Sequence, residues 1–165
     1  MQPMKTLLIL RHAKSSWKDA GLLDHDHPLN KRGKRDAPRV GRLILQQGLV
    51  PDLIISSTAK RARSTAKRVA KACGYAGEIQ STPQLYHAPA GIYIEVLNNL
   101  SDDYSRVMVI GHNPGMEELV ARLARSCTMP TAALANVSLP IDKWSALDGA
   151  TKGQLDEVWY PRNLG

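Results

Sequence analysis

The stretch TLLILRH, residues 6–12, joins a short apolar run directly to an arginine and a histidine. Four consecutive Leu and Ile residues bounded by polar ones are typical of a central strand that helices cover on both faces. Arg11 and His12 follow where that strand would end. The stretch therefore predicts a buried strand whose carboxyl end presents a guanidinium and an imidazole side by side.

The same alternation of apolar runs and amphipathic segments continues along the chain and predicts the fold. Helices are predicted at 30–47, 58–73, 90–100 and 116–124, and further strands at 52–56, 78–82, 106–110, 136–140 and 155–160. Strands that alternate with helices favour parallel pairing with helices on both faces. We therefore expect an α/β fold: a three-layer α/β/α single domain, residues 1–165, with a mostly parallel central sheet.

Composition narrows the functional classes. The 165 residues carry a formal net charge of +7, which favours anionic partners but is equally compatible with a merely solvated surface. Cys73 and Cys127 form no CxxC pair, which fits free thiols in a reducing compartment. The first apolar run is too short for a signal peptide, and no stretch reaches membrane-spanning length. We expect a soluble cytoplasmic protein.

Three predicted strands deliver candidate functional side chains. The first leads to Arg11 and His12, the second to Arg61 on the following helix, and the fourth to His112 and Asn113. Ligands of parallel α/β sheets bind beyond the carboxyl ends of the strands, so these groups should meet at one edge. Taken singly, each would more often be an ordinary surface residue, and their common placement is what favours a site.

The chemistry of this set points to phosphoryl transfer. Arginine binds phosphate oxygens in pairs, and helix starts after Thr58 and Pro114 would add backbone donors. A neutral imidazole can take a phosphoryl group covalently, and neighbouring arginines disfavour its protonation. We expect His12 to be the nucleophile because it directly follows its strand, with His112 either stabilising the transferring group or exchanging a proton.

Other patterns in the sequence carry less weight. DHDH at 24–27 mixes carboxylates and imidazoles, but its residues are consecutive and no distant partner completes a ligand set, so no metal is expected. Apart from Arg61, the basic helix KRARSTAKRVAKA at 60–72 is interpreted as a solvated face. The absence of Walker A and GxGxxG patterns argues against nucleotide hydrolysis and dinucleotide redox chemistry.

Three motifs in the right order resemble the histidine phosphatase, or phosphoglycerate mutase-like, superfamily: RHA at 11–13, SSTAKRARSTA at 56–66 and GHNPG at 111–115. Within it, RHAKSSW, HPLNKRG at 27–33, LYHA at 85–88 and PRNLG at 161–165 are similar to the small bacterial phosphohistidine phosphatases of the SixA type. The resemblance implies a phosphoglycerate mutase-like fold and a phosphohistidine on His12. It also implies a pocket completed by Arg11, Arg61 and His112, with no metal or cofactor.

The chain departs from that family pattern at several positions. Ala13 stands for the usual glycine, Thr58 for a common proline and His27 for a frequent arginine, which would weaken a phosphate contact. The larger relatives carry an acidic proton donor after the third strand, where this chain reads QLYHAPAG. His87 is a possible substitute there, although a surface histidine is the commoner finding. The candidate substrate-binding residues are Ser15, Lys18, His27, His87 and Asn113, and Lys14, Ser15 and Trp17 are expected to shape the rim.

The missing acid bears on the substrate. An alkoxide leaving group needs a proton in the transition state, whereas an imidazole can leave already protonated. We therefore expect a metal-independent phosphohistidine phosphatase. Two alternatives stay open: a small-molecule or phosphoprotein phosphomonoesterase of the same superfamily, and a non-catalytic binder of phosphorylated ligands. The expected partner is a phosphorylated protein or a small phosphorylated substrate; a membrane is not expected, and nucleic acid is not favoured because no reading motif is present.

Overall fold

The apolar run at residues 6–10 lies within the strand β1, Lys5–Arg11, which is flanked on both sides by other strands in a six-stranded sheet. The computed structural model of the protein describes residues 4–164. Residues 1–3 and Gly165, which belong to the predicted domain and to the PRNLG motif, lie outside the described residues. Leu7, Leu8 and Ile9 are fully buried, as the unbroken apolar run predicts.

Strands and helices alternate along the first two thirds of the chain. The further strands are β2, Leu53–Ser57; β3, Ile79–Thr82; β4, Arg106–Gly111; β5, Leu134–Leu139; and β6, Gln154–Trp159. The helices are α1, Lys31–Gln46; α2, Lys60–Cys73; α3, Ala90–Asn98; and α4, Gly115–Leu123. Short 3₁₀ turns lie at Asp24–Asp26, Pro83–Leu85, Trp144–Ala146 and Pro161–Asn163.

The sheet has the order β3-β2-β4-β1-β5-β6, and its first four strands are parallel. β5 runs antiparallel to β1, and β6 pairs antiparallel with β5. Parallel strands joined by helices place their carboxyl ends at one edge. The ends of β1, β2 and β4, which are neighbours in the sheet, therefore open onto the same place.

Helices cover both faces of the sheet. Leu8 and Leu10 of β1 point into one apolar core with α1 and α2, whereas Leu7 and Ile9 point into a second core with α3 and α4. This division follows from the two-residue period of a strand. The predicted three-layer α/β/α fold with a mostly parallel sheet is confirmed.

The boundaries differ from the sequence prediction by one or two residues at most ends. α2 begins at Lys60 rather than Thr58 because Ala59 adopts an extended conformation, with φ −56° and ψ 140°. α1 begins after Asn30, whose side chain accepts a hydrogen bond from the Gly33 amide and so caps the helix. Within residues 4–164, no helix combines the length and the apolar character needed to cross a membrane.

Candidate active site

The ends of β1, β2 and β4 border a cavity of about 240 Å³. It contains the four groups that sequence reasoning placed together, and its walls are formed by Arg11, His12, Lys14, Ser15, Trp17, Asp24, Arg61, His87, His112, Asn113 and Thr131. The side chains that line it include three basic residues expected from their type to be charged at neutral pH, namely Arg11, Lys14 and Arg61, and a single carboxyl, that of Asp24. The cavity is therefore suited to an anion.

His12 is buried at the floor of this cavity. Its Nδ1 lies 2.8 Å from the carbonyl oxygen of Ala13, and because a carbonyl can only accept, Nδ1 carries the proton. Burial, with smaller contributions from Arg61 and Arg11, lowers the pKa of His12 to about 4. The ring is therefore neutral at physiological pH, and its Nε2 holds a free lone pair.

The segment that follows His12 is held by backbone contacts. The amide of Ala13 donates to the hydroxyl of Thr65 on α2 at 3.0 Å. A side chain on Gly33 of α1 would place its Cβ 2.1 Å from the carbonyl oxygen of Lys14, so only glycine permits this approach. The nucleophile candidate is thus fixed between α1 and α2.

Arg61 is buried in the first turn of α2 and points at the same cavity. Its Nη1 donates to the carbonyl oxygen of Asp24 at 2.6 Å, and its Nη2 donates to the Asp24 carboxylate at 3.1 Å. Two bonds to one residue fix the plane of the guanidinium. Asp24 therefore orients the Arg61 guanidinium, the group that the sequence analysis predicts to bind phosphate.

Asp24 is the centre of a small polar cluster. Its Oδ2 accepts hydrogen bonds from the Tyr86 hydroxyl, from Nε2 of His87 at 2.8 Å and from Arg61. Partial burial acts to raise the pKa of this carboxyl, but the three donors outweigh it and hold the pKa below its ordinary value. Asp24 is therefore ionised at neutral pH and does not serve as a proton donor.

His112 follows β4 and faces His12, with the two ring centroids 5.2 Å apart. Its Nε2 lies 2.8 Å from the hydroxyl of Ser57 at the end of β2. Burial, and then the neighbouring His12, lower the pKa of His112 to about 3. His112 therefore enters the site as a neutral ring.

Two buried nitrogen atoms in the cavity wall have no hydrogen-bond partner among the described residues: Nδ1 of His112 and Nε of Arg11. Two further such atoms, on Arg106 and Asn136, lie away from the cavity. Buried polar groups without partners are uncommon and call for a functional or structural reason. Both residues line the cavity, so we expect a bound anion to supply the missing acceptor.

Three of the remaining candidate residues line the cavity. The hydroxyl of Ser15 accepts a hydrogen bond from the Trp17 indole at 2.9 Å. Asn113 donates to the Glu117 carboxylate at 2.7 Å and to the Met129 carbonyl at 2.9 Å, so its amide nitrogen is occupied within the chain. His87 has a φ of 50°, a left-handed conformation that is uncommon outside glycine and that is often found at functional sites.

The other two candidates do not line the cavity. His27 is buried, donates from Nδ1 to the carbonyl of Ser16 and stacks under the Trp17 ring at 3.7 Å between centroids. Lys18 is exposed on the loop that follows Trp17. The structure thus places His27 behind the wall that Trp17 forms.

At the start of α4, three of the backbone donors that the sequence suggested are bonded within the chain. At α4, the amides of Met116 and Glu118 donate to the carbonyls of His112 and Pro114, and the Glu117 amide donates to the Asn113 side chain. These donors are already used. The charge of the site comes mainly from its arginines.

Asp24 and Tyr86 were not among the site residues predicted from the sequence. The DHDH stretch raised the question of a metal, but its side chains diverge: Asp24 turns to Arg61, His25 to Thr58 and His27 to Ser16. No group of three or more possible metal ligands converges within residues 4–164. The sequence feature that could have identified Asp24 is its position three residues before the HPLNKRG stretch.

A search of protein families matches residues 7–95 to the model of the histidine phosphatase superfamily, branch 1. This range contains Arg11, His12, Asp24, Arg61 and His87. An uncharacterized chloroplastic protein of Arabidopsis thaliana is 39% identical over 129 residues, which are 73% of this chain and 59% of that protein. The chain thus matches less than two thirds of this relative's length.

Solved structures of the same fold cover nearly the whole chain. A candidate phosphohistidine phosphatase SixA from Nakamurella multipartitia has a TM-score of 0.83 at 24% identity and covers 96% of each chain. Another from Agrobacterium tumefaciens has a TM-score of 0.82 at 27% identity, with 98% of this chain and 100% of that chain covered. The sheet order and helix layers described above are therefore shared with these proteins.

Proposed function

This chain belongs to the histidine phosphatase superfamily, branch 1, and we propose that it is a metal-independent phosphatase that removes phosphate from phosphohistidine on a protein through an intermediate on His12. The observation that carries the proposal is the protonation pattern of the cavity. His12 is neutral with its lone pair on Nε2, and Asp24 is ionised. The site therefore contains a nucleophile and lacks a carboxylic acid able to protonate a leaving group.

In the first step, Nε2 of His12 attacks phosphorus, and the bond between phosphorus and the substrate imidazole nitrogen breaks. The electron pair of that bond stays on the departing imidazole, which leaves neutral because it arrived protonated. Arg11 and Arg61 would bind the phosphoryl oxygens, and the unpartnered Nδ1 of His112 would donate to one of them.

In the second step, water attacks the phosphoryl group on His12, and the bond from phosphorus to Nε2 breaks with its electron pair returning to the ring. The water loses a proton as inorganic phosphate forms. His87 lines the cavity and already donates from Nε2 to Asp24, so its Nδ1 is available to accept that proton. His87 then releases this proton to solvent, which returns the site to its starting state.

The state of Asp24 favours phosphohistidine as the substrate. A general acid needs a pKa near the working pH, whereas hydrogen bonds from Tyr86, His87 and Arg61 lower the pKa of Asp24. Among the described residues that line the cavity, no other side chain is a carboxylic acid. A substrate whose leaving group brings its own proton suits this arrangement better than a sugar phosphate does.

A phosphomonoesterase is the second candidate, and His87 is the observation that favours it. This side chain lies in the segment after β3, is half exposed and donates a hydrogen bond to Asp24 at 2.8 Å. A protonated His87 could donate to an alkoxide from Nδ1. The two candidates share the nucleophile and differ in whether His87 is needed as an acid.

The test compares kcat/KM for a phosphohistidine protein, a serine phosphate peptide and a sugar phosphate, with chelator present. We expect the phosphohistidine protein to be turned over at least a hundredfold faster than the other two, and His12→Ala to abolish turnover. Faster turnover of the sugar phosphate would favour the second candidate. Undiminished activity in His12→Ala would reject the mechanism, and no activity with any substrate would favour a non-catalytic binder.

We also propose a cytoplasmic location. Cys73 and Cys127 are both free thiols in the structure, which is the state that a reducing compartment maintains.

A further inference from the structure

Large apolar side chains are exposed mainly beside the cavity. The described residues contain five of them, and three lie on the loop that connects the His12 segment to Asp24: Trp17, Leu22 and Leu23. Leu23 is 74% exposed and Trp17 is 55% exposed, although Trp17 also lines the cavity. Exposed apolar groups concentrated at one place are typical of interaction sites.

This loop contacts the beginning of α2. Asp24, which directly follows Leu23, is bonded to Arg61 of α2, and Nε2 of His25 lies 2.9 Å from the hydroxyl of Thr58. Lys60, the first residue of α2, is exposed next to these contacts. Loop and helix end therefore form one continuous surface around the cavity, which we call the mouth surface: Trp17, Lys18, Leu22, Leu23 and Lys60.

The charge around the mouth surface is unevenly distributed. The two helices α1 and α2, which pack against each other, carry twelve of the 22 Lys and Arg residues and one of the 15 Asp and Glu residues. The single acidic residue, Asp36, is buried and pairs with Arg32 and Arg39. The rest of the chain is consequently net acidic. On the loop, Lys18 lies beside the exposed Asp19, and Asp26 is also exposed, so the positive charge at the mouth surface comes from the start of α2.

We infer that the mouth surface docks the folded protein that carries the phosphohistidine, and that this partner presents an apolar patch bordered by acidic side chains. The inference rests on the proposed function. An apolar centre with a charged rim is the usual anatomy of a protein interface, and complementary charge speeds encounter. Leu22 and Leu23 would provide the apolar centre, and Lys60 with the basic α2 that follows it would attract the acidic side chains of the partner.

Nucleic acid and membrane fit these observations less well. A nucleic acid would use the basic helices but would leave the exposed leucines without a partner. A membrane surface would not bring a phosphohistidine to a cavity whose floor is His12. A substrate protein uses the apolar loop, the basic helix end and the cavity together.

The test compares two substrates that share the reacting bond: a phosphohistidine protein and the small molecule phosphoimidazole. The variants are the double change Leu22→Ser with Leu23→Ser, and the single change Lys60→Glu. None of these side chains lines the cavity. Leu45→Ser, at an exposed leucine near the end of α1, and Lys71→Glu, about 16 Å along α2 from Lys60, are the matched controls.

We expect both mouth-surface variants to lower kcat/KM for the phosphoprotein fivefold or more, through a higher KM, while phosphoimidazole turnover stays within twofold of wild type. Both control variants should stay within twofold for both substrates. Equal losses with both substrates, or no loss with either, would overturn the docking surface.

Three outcomes separate the docking inference from the alternatives. A wild-type dimer in sedimentation that Leu22→Ser with Leu23→Ser dissociates would assign the surface to a second copy of this chain and overturn the proposal. If the wild type turns over neither substrate, the proposed function itself fails and the docking inference fails with it. Turnover of both substrates without discrimination by the variants rejects the docking inference alone.

Discussion

Both terminal nitrogens of Arg61 donate to Asp24, one to its backbone carbonyl at 2.6 Å and one to its carboxylate at 3.1 Å. The guanidinium expected to bind phosphate is thus oriented by a residue from a separate loop. The same carboxylate oxygen accepts hydrogen bonds from Tyr86 and His87. One ionised group therefore positions three side chains at the mouth of the cavity.

Asp24→Asn should separate two effects of Asp24, the orientation of the Arg61 guanidinium and the negative charge that Asp24 adds to the cavity. The amide removes the negative charge opposite Arg61, so inorganic phosphate should inhibit about fivefold more tightly, whereas kcat should fall about tenfold, equivalent to about 1.4 kcal/mol, because Nη2 loses a charged acceptor. Steady-state kinetics with phosphate as inhibitor measures both. Asp26→Asn, at an exposed carboxylate 3.5 Å from His25, is the control and should change neither constant. Unchanged kinetics in Asp24→Asn would contradict a positioning role.

The role of His87 as a general acid can be tested with two substrates that differ in whether their leaving group needs a proton. His87→Ala should lower kcat/KM for an alkyl phosphate by about 10²-fold, since general acid help is worth about that much. It should change kcat/KM for phosphoimidazole less than threefold, because that constant reports the first step, in which the imidazole needs no acid, and not the later attack of water on His12. Gln80→Ala is the control because Gln80 is exposed on β3 and does not line the cavity. Equal losses with both substrates would show that His87 acts on binding or structure and not as an acid.

Much of this site follows from topology. Arg11 ends β1, and His12 and His112 directly follow β1 and β4. Arg61 lies in the first turn of the helix after β2, so the sheet brings all four side chains to one edge. The apolar runs that define these strands are continuous and short, which is why the fold class could be predicted. The helix ends were less predictable, since the extended Ala59 delays α2 by two residues.

The placement of the remaining side chains depends on tertiary contacts, which produce no periodic pattern in the sequence. Asp24 reaches the cavity from a 3₁₀ turn whose path is set by Arg61 and Thr58, and neither contact can be read from local sequence. His27 was expected to touch substrate, but the Trp17 ring stacks over it. Sequence reasoning looked for an acid after the third strand, whereas the carboxylate of this site precedes α1.

The buried histidines predict how stability depends on pH. In the unfolded chain their pKa is near 6.5, whereas in the folded protein burial lowers it to about 4 for His12 and about 3 for His112. The unfolded state therefore binds protons first, so this stability is fully present above pH 6.5 and is lost as pH falls toward 4. Urea unfolding should give a free energy lower at pH 5 than at pH 7 by about 2 kcal/mol for each of the two histidines.

The double variant His12→Asn with His112→Asn provides the control for this pH effect. Neither asparagine titrates, so most of the fall between pH 7 and pH 5 should disappear. An equally large fall in the double variant would assign the effect to other groups. Nitrogen chemical shifts of the two rings should independently show both neutral at pH 6.

The contact between α1 and the His12 segment is sensitive to a single methyl group. In Gly33→Ala the new Cβ would lie 2.1 Å from the Lys14 carbonyl oxygen, so backbone must move. We expect a loss of about 2 kcal/mol or more in the free energy of unfolding, together with lower activity. Gly91→Ala in α3 is the control, because its Cβ would meet nothing closer than 3.8 Å and alanine favours a helix. Equal stability of the two variants would contradict the close approach.

The central claim is that Nε2 of His12 takes the phosphoryl group, since Nδ1 donates to the Ala13 carbonyl at 2.8 Å. The most direct measurement mixes the protein with labelled phosphoimidazole, stops the reaction within milliseconds in alkaline denaturant and locates the label by mass spectrometry and phosphorus NMR. The account predicts phosphate on Nε2 of His12 in the wild type and none at that position in His12→Ala. Phosphate on Nδ1, on another residue, or undiminished turnover in His12→Ala would contradict it.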